Sequence, residues 1–117
     1  MKIAIIDCVN QDIGLKILFP EADYYIHNDQ DYIIEYRKKS YEYYNISVSK
    51  DWTNINDKNY DNLFVILPTF DILPKNSNFK QEILDICNKI INIININNFK
   101  KIFVFDNYDY DYDPNDY

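Results

Sequence analysis

The chain has 117 residues, of which 47% are hydrophobic and 26% are charged, and this fits one domain with its own core but is too short for two. Its net charge is −7 and its densest basic cluster is Arg37–Lys39, so we expect no binding to nucleic acid or to an anionic membrane. The chain has a single glycine, which excludes the glycine-rich loops that hold nucleotide phosphates, and we therefore expect no nucleotide cofactor.

The first half of the chain alternates apolar runs with helical patterns. Lys2–Cys8 is nearly continuous in apolar residues, which is typical of a strand covered on both faces. A helix is predicted over Gln11–Phe19 and stops at Pro20. A second strand, Asp23–His27, precedes a second predicted helix over Asp29–Tyr44.

The second half repeats this alternation after a polar segment. Asn45–Tyr60 reads as a loop in which Ile46 and Val48 allow a short edge strand. Asn62–Leu67 is the third predicted strand. A third helix is predicted from about Asn78 to Asn97, where isoleucines recur at helical spacing. Lys101–Phe105 is the fourth predicted strand, and we expect its phenylalanines to be buried.

This order predicts an α/β fold with three α/β/α layers and a mostly parallel sheet of four or five strands. We expect a flavodoxin-like or truncated Rossmann-like arrangement with strand order 2-1-3-4. Residues 1–107 form the predicted domain, and residues 108–117 form an acidic tail of Asp and Tyr.

One strand has a family resemblance. The segment Asp61–Pro68 (DNLFVILP) resembles the central strand of response-regulator receivers and of class I glutamine amidotransferases. Receivers end that strand with a phosphate-accepting aspartate, whereas Leu67 and Pro68 stand here. The resemblance therefore implies a fold and carries no activity.

Acidic and amide side chains follow the predicted strands. Because parallel strands share a carboxyl edge, these residues predict an acidic rim there. Carboxylate oxygens suit Mg²⁺, and the candidate metal ligands are Asp7 and Asp106, each of which directly ends an apolar strand. The competing interpretation is that these residues only cap helices and solvate loops.

Cysteine chemistry is not indicated by the sequence. Two cysteines, Cys8 and Cys87, are too few for a disulfide framework, and both lie in apolar segments. Cys8 and His27 end strands that are expected to be neighbours, but no nucleophile elbow surrounds Cys8. We interpret both cysteines as small buried side chains.

Aromatic and apolar side chains exceed what a small core requires. The third helix has apolar residues around more than one face, and seven of the twelve tyrosines lie on the second predicted strand and helix. This predicts an interface with a second copy or with another protein, and a symmetric homodimer is favoured over cover of the third helix by the Asn45–Tyr60 loop of the same chain. The candidate interface residues are Ile86, Ile93, Tyr36 and Tyr43, whereas Ile90 is expected in the core.

The leading functional hypothesis is therefore a non-enzymatic protein–protein interaction or self-associating module. The alternative is a Mg²⁺-dependent hydrolase or phosphotransfer-type enzyme that uses the acidic rim. The short apolar start, Met1–Asp7, is not a signal peptide, and we expect a cytoplasmic protein. The richness in Ile, Asn, Lys, Tyr and Phe is typical of A/T-rich genomes such as those of large DNA viruses and some protists.

Overall fold

The computed structural model describes residues 1–8, 14–27, 38–68 and 79–105. Within these ranges the strands are β1 (Ile3–Asp7), β2 (Asp23–Ile26), β3 (Val48–Ser49), β4 (Asn62–Ile66) and β5 (Lys101–Phe105). The helical elements are α1 (Gly14–Leu18), a helix that includes residues 38–43 (α2), a 3₁₀ helix (Trp52–Asp57) and α3 (Phe79–Ile96). The predicted tail lies outside the described residues.

All neighbouring strands are parallel, and their order is β3-β2-β1-β4-β5. This confirms the predicted α/β fold with a parallel sheet. The predicted order 2-1-3-4 counted the four longer strands, which correspond to β2-β1-β4-β5. The structure adds β3 beyond β2, where Ile46 and Val48 had suggested a short edge strand.

One face of the sheet packs against α3 and the 3₁₀ helix, and we call it the α3 face. Ile86, Ile90 and Ile93 of α3 are buried there against side chains of β1 and β4. Burying an isoleucine side chain contributes roughly 1.5–3 kcal/mol relative to leaving it in water, so this row is a main source of stability. Ile55 of the 3₁₀ helix is fully buried in the same cluster.

The opposite face packs against α1 and α2. Alternate residues of the central strands, including Ile5 and Phe64, form its core together with Tyr24 and Tyr41. Phe19, which directly follows α1, stacks on Phe64 with the ring centroids 5.1 Å apart. Because both faces are covered, β1 and β4 are buried along their whole length, as their continuous apolar sequences predict.

β5 differs from this expectation. Its residues are all exposed, although the sequence predicts that Phe103 and Phe105 are buried. The physical reason is its place in the sheet: β5 is an edge strand, and α3 lies over the strands nearer the centre. Both phenylalanines retain one contact, with the ring of Phe64, at centroid distances of 5.1 Å and 6.1 Å.

The 3₁₀ helix replaces part of the predicted loop. Asp51 caps it, because its side chain accepts a hydrogen bond of 3.0 Å from the backbone N–H of Thr53. Asn97, directly after α3, donates from Nδ2 to Oδ1 of Asn56 at 2.8 Å. The 3₁₀ helix and α3 are therefore joined by a side-chain hydrogen bond as well as by packing.

Candidate functional site

The predicted acidic rim lies mostly outside the described residues. Asp7 is described, whereas Asp106 and the other acidic and amide residues proposed for the rim lie in the ranges 9–13, 28–37, 69–78 and 106–117. Among the residues that are described, no three His, Cys, Asp or Glu side chains are grouped closely enough to hold a metal ion. The metal site at Asp7 and Asp106 stays a prediction.

Asp7 itself is part of the core. Its side chain is completely buried and accepts a hydrogen bond from the hydroxyl of Tyr24 on the neighbouring strand. Its backbone carbonyl accepts a hydrogen bond of 3.3 Å from the N–H of His27. The Tyr24 hydroxyl therefore occupies Oδ2, one of the two oxygens that a metal ion could use at this carboxyl group.

Cys8 has the environment of a structural residue. Its side chain is fully buried in the α3-face core. Burial raises the pKa of the thiol far above its usual range, and the nearby Asp7 and Cys87 raise it further. A thiol held in its protonated form is a poor nucleophile, which favours the interpretation of Cys8 as a small core side chain.

A cavity of about 410 Å³ lies beside the carboxyl ends of β2 and β3. Ile26, Trp52 and Ile93 line it with apolar surface. Lys50, which directly follows β3, and Lys89 of α3 also line it. The described lining of the cavity therefore combines an apolar wall with two cationic side chains, at the carboxyl edge of the parallel sheet.

The apolar wall is fixed by specific contacts. The indole Nε1 of Trp52 donates a hydrogen bond of 3.1 Å to the carbonyl of Ile26. The indole ring also lies 6.1 Å, centroid to centroid, from the ring of His27. Because the tryptophan is held from both sides, the cavity has a defined shape in the absence of a ligand.

The cavity is not at the topological switch point of the sheet. The chain order reverses between β1 and β4, so the switch point lies beyond Asp7 and Ile66. The segments that follow these strands, 9–13 and 69–78, are outside the described residues. The segment that follows β2, 28–37, is outside the described residues as well, and the cavity at β2 and β3 is known from its described lining.

Local sequence signals gave little indication of this cavity. The predictions treated the 45–60 segment as a polar loop and identified none of its residues as functional. One signal was present: Asp51 stands two residues before Thr53, a spacing at which an aspartate caps a helical turn. That cap begins the 3₁₀ helix and so places Trp52 against Ile26.

The two isoleucines of α3 that were predicted to form an interface face the core instead of solvent. Ile86 and Ile93 are only 2% and 5% exposed, because they face the sheet together with Ile90. The apolar side chains of α3 that reach solvent instead include Leu84 and Ile91, which are 52% and 53% exposed. Seven residues apart, these two lie on one side of the helix.

The predicted tyrosine contacts are only partly described. Tyr36 lies outside the described residues. Tyr43 of α2 is 82% exposed, and its ring packs edge-on against Tyr44 with the centroids 4.9 Å apart. Its exposure leaves it available for an interface, and whether it forms one stays a prediction.

Within the part of the chain that the structure describes, the longest run of exposed apolar residues lies on β5. Four consecutive side chains, which we call the β5 edge, are between 39% and 57% exposed: Ile102, Phe103, Val104 and Phe105. Because side chains alternate along a strand, Phe103 and Phe105 lie on the face where they contact Phe64, and Ile102 and Val104 lie on the other face.

Comparisons with protein-family models, with curated proteins and with solved structures found no significant match. None of the helices in the described part of the chain has the length and apolar character needed to cross a membrane.

Proposed function

We propose that this protein is a non-enzymatic, self-associating module in which two copies pair through β5. The observation that carries the proposal is the β5 edge, a run of four apolar side chains exposed to solvent on an edge strand. Exposed apolar side chains that cluster on the surface of a soluble protein mark contact sites.

The backbone of β5 supports pairing as well as apolar contact. Within the described residues, β5 is hydrogen-bonded to β4 on one side, and its other side carries no strand. An open, apolar edge of this kind is a template for another strand, and natural proteins usually block it with charge or proline. β5 has one charged residue, Lys101, at its start. The opposite edge strand, β3, has two residues and offers no comparable template.

Charge favours a second copy in the antiparallel direction. Lys100 and Lys101 precede the apolar run, and an acidic segment follows it, with aspartates at positions 106, 109, 111, 113 and 116. Antiparallel pairing brings the lysines of each copy beside the acidic segment of the other. Parallel pairing would bring like charges together, which destabilises a sheet. The antiparallel arrangement also has the two-fold symmetry that is commonest in homodimers.

The sequence suggests one register for this pair. With the two-fold axis at Phe103, all five residues of β5 overlap, and Ile102 stands opposite the partner subunit's Val104. Lys100, whose Nζ lies 3.5 Å from Asp61 in its own copy, then stands opposite the partner subunit's Asp106. Side chains on the α3 face of one copy continue onto the α3 face of the other.

Sedimentation equilibrium tests the association. We expect a species of twice the chain mass of 14.2 kDa at micromolar concentration. Val104→Lys places a charge in the β5 edge and should yield a folded monomer. Tyr43→Lys is the matched control, since it makes the same change at an exposed aromatic residue on α2 and should leave the dimer intact. A monomeric wild type, a dimeric Val104→Lys variant or a dimer broken by Tyr43→Lys contradicts the proposal.

Cysteine cross-linking tests the register. Opposed residues in an antiparallel pair have Cα atoms about 4.5–5.5 Å apart, a separation that a disulfide can span. Phe103→Cys places a cysteine opposite the same cysteine of the second copy, so oxidation should give a disulfide-linked dimer. Ile102→Cys faces a valine instead and should cross-link much less. Equal cross-linking of the two variants contradicts an axis at Phe103.

A further inference from the structure

We propose that the cavity beside β2 and β3 binds a small organic anion, with an apolar body and one carboxylate or phosphate group. This site is separate from the proposed self-association, because β3 and β5 are opposite edges of the sheet. Its volume of about 410 Å³ is within the range of cavities that hold small ligands, roughly 300–1,000 Å³.

The charges that line the cavity favour an anion. Lys50 and Lys89 line it, and the carboxylate among its lining residues is that of Asp51. One oxygen of this carboxylate, Oδ1, already accepts hydrogen bonds from the backbone N–H of Thr53 at 3.0 Å and from its hydroxyl at 2.5 Å. Within the described residues, Lys89 forms no ion pair. Among the described lining residues, two lysines stand against one aspartate, on a chain whose net charge is −7.

The apolar wall of the cavity favours a ligand whose uncharged part is flat and apolar. Ile26 and Ile93 are buried core residues whose surfaces border the cavity, and Trp52 adds a flat ring held by its hydrogen bond to Ile26. A flat apolar body contacts such a wall favourably. Asn92 adds an amide that both donates and accepts hydrogen bonds, which suits the polar head of the ligand.

The fluorescence of Trp52 gives a direct measurement, because it is the one tryptophan of the chain. We expect benzoate and phenyl phosphate each to change this fluorescence saturably. Their relative affinities distinguish a carboxylate ligand from a phosphate ligand. Benzyl alcohol, which has the ring without the charge, and inorganic phosphate, which has the charge without the ring, should each bind more weakly.

Lysine variants of the intact chain test the role of charge. Lys89→Gln should weaken binding of the tighter anion roughly tenfold or more, because a charge-assisted hydrogen bond is lost. Lys89 is exposed, so the variant should fold as the wild type does. Lys38→Gln, at an exposed lysine of α2, is the matched control and should bind as the wild type does. Absence of saturable binding by both aromatic anions, or equal binding by Lys89→Gln and wild type, overturns the proposal. So does equally tight binding of benzyl alcohol.

Discussion

The hydroxyl of Tyr24 donates a hydrogen bond to the carboxyl group of Asp7, and both side chains are at most 2% exposed. The two residues are diagonal neighbours on β1 and β2, because Asp7 is paired with Ile26 and Tyr24 is paired with Ile5. A buried carboxyl group is costly unless it is hydrogen-bonded, so Tyr24 stabilises an otherwise unfavourable core residue.

Removal of the Tyr24 hydroxyl should therefore destabilise the protein. We expect Tyr24→Phe to lower the free energy of unfolding by about 1–3 kcal/mol, measured by urea denaturation, because Asp7 loses a buried donor. Tyr43→Phe removes an exposed hydroxyl and should change stability by no more than about 0.5 kcal/mol. Equal effects of the two substitutions would show that the buried hydrogen bond contributes nothing.

The same hydrogen bond bears on the Mg²⁺-dependent enzyme hypothesis. A metal ion bound to the folded state raises the melting temperature by mass action. Since Asp7 is buried and bonded to Tyr24, we expect millimolar MgCl₂ to leave the melting temperature unchanged. A rise that Asp7→Asn abolishes, and that the exposed control Glu21→Gln does not, would instead support a metal site at Asp7.

At the amino edge of the sheet, three side chains form a hydrogen-bonded chain. The Tyr60 hydroxyl donates to the Asp23 carboxylate and lies 2.7 Å from the Tyr25 hydroxyl. Burial raises the pKa of Tyr60 well above its usual range, and the hydrogen bonds to Asp23 and Tyr25 raise it further. Tyr60 therefore keeps its proton in the folded protein at pH values where an unfolded tyrosine loses it.

This predicts a loss of stability in alkali. Because the folded-state pKa of Tyr60 is raised, its protonated hydroxyl contributes fully to folding stability below the unfolded pKa of about 10. This contribution disappears as the pH rises through the folded-state pKa. The wild type should therefore lose stability above about pH 10, and Tyr60→Phe should lose less over the same interval. Urea denaturation at neutral and alkaline pH measures both. If Tyr60→Phe and Tyr43→Phe show the same alkaline loss, Tyr60 is not the group responsible.

The position of apolar segments in the sheet was less predictable than their presence. β4 (NLFVI) and β5 (KIFVF) have similar apolar content, yet one is buried and the other exposed. Local sequence predicts a strand, but strand pairing decides which strand is at the edge. The cavity could not be predicted for the same reason, since Lys50 and Lys89 are far apart in the chain and both line the cavity only in the folded protein.

The error in the predicted inward side of α3 has a similar cause. Its many isoleucines predicted a helix correctly over Phe79–Ile96, but they surround too much of the helix to reveal the inward side. Burial of Ile86 and Ile93 is set by packing against the sheet and by the bond between Asn97 and Asn56. Among the described residues, the longest run of exposed apolar side chains therefore lies on β5, although Leu84 and Ile91 of α3 are exposed as well.

A second pH effect is expected in acid. The Oδ2 of Asp61 accepts a hydrogen bond of 2.9 Å from the backbone N–H of Lys2, and its Oδ1 lies 3.5 Å from Nζ of Lys100. The bond from Lys2 lowers the pKa of Asp61 most, and Lys100 lowers it further. This carboxylate joins the amino ends of β1, β4 and β5.

The folded-state pKa of Asp61 is lowered. The ionised Asp61 therefore contributes to folding stability above the unfolded pKa of about 3.9, and this contribution is lost as the pH falls through the folded-state pKa. Asp61→Asn should be less stable than the wild type at neutral pH, and the difference should shrink in acid. Asp57→Asn, at an exposed carboxylate, is the control for general charge effects. A difference that stays constant down to strongly acidic pH would rule out this role for Asp61.

The acidic tail provides the last test, since it should affect association more than folding. Truncation after Asn107 removes four aspartates and should change the free energy of unfolding of the dissociated chain by no more than about 1 kcal/mol. In the antiparallel pair, however, the tail lies beside Lys100 and Lys101 of the other copy. Opposite charges across strands contribute about 0.2–1 kcal/mol each, so we expect truncation to weaken the dimer severalfold.

Two electrostatic effects compete in this experiment. Truncation also makes the chain less negative than its net charge of −7, which reduces the general repulsion between copies. At physiological salt the Debye length is about 8 Å, so distant charges are screened and adjacent pairs dominate. Sedimentation equilibrium should therefore show a weaker dimer after truncation at physiological salt and little difference at about 1 M salt, where the Debye length is about 3 Å. A tighter dimer after truncation would mean that the tails repel each other, which contradicts the antiparallel arrangement.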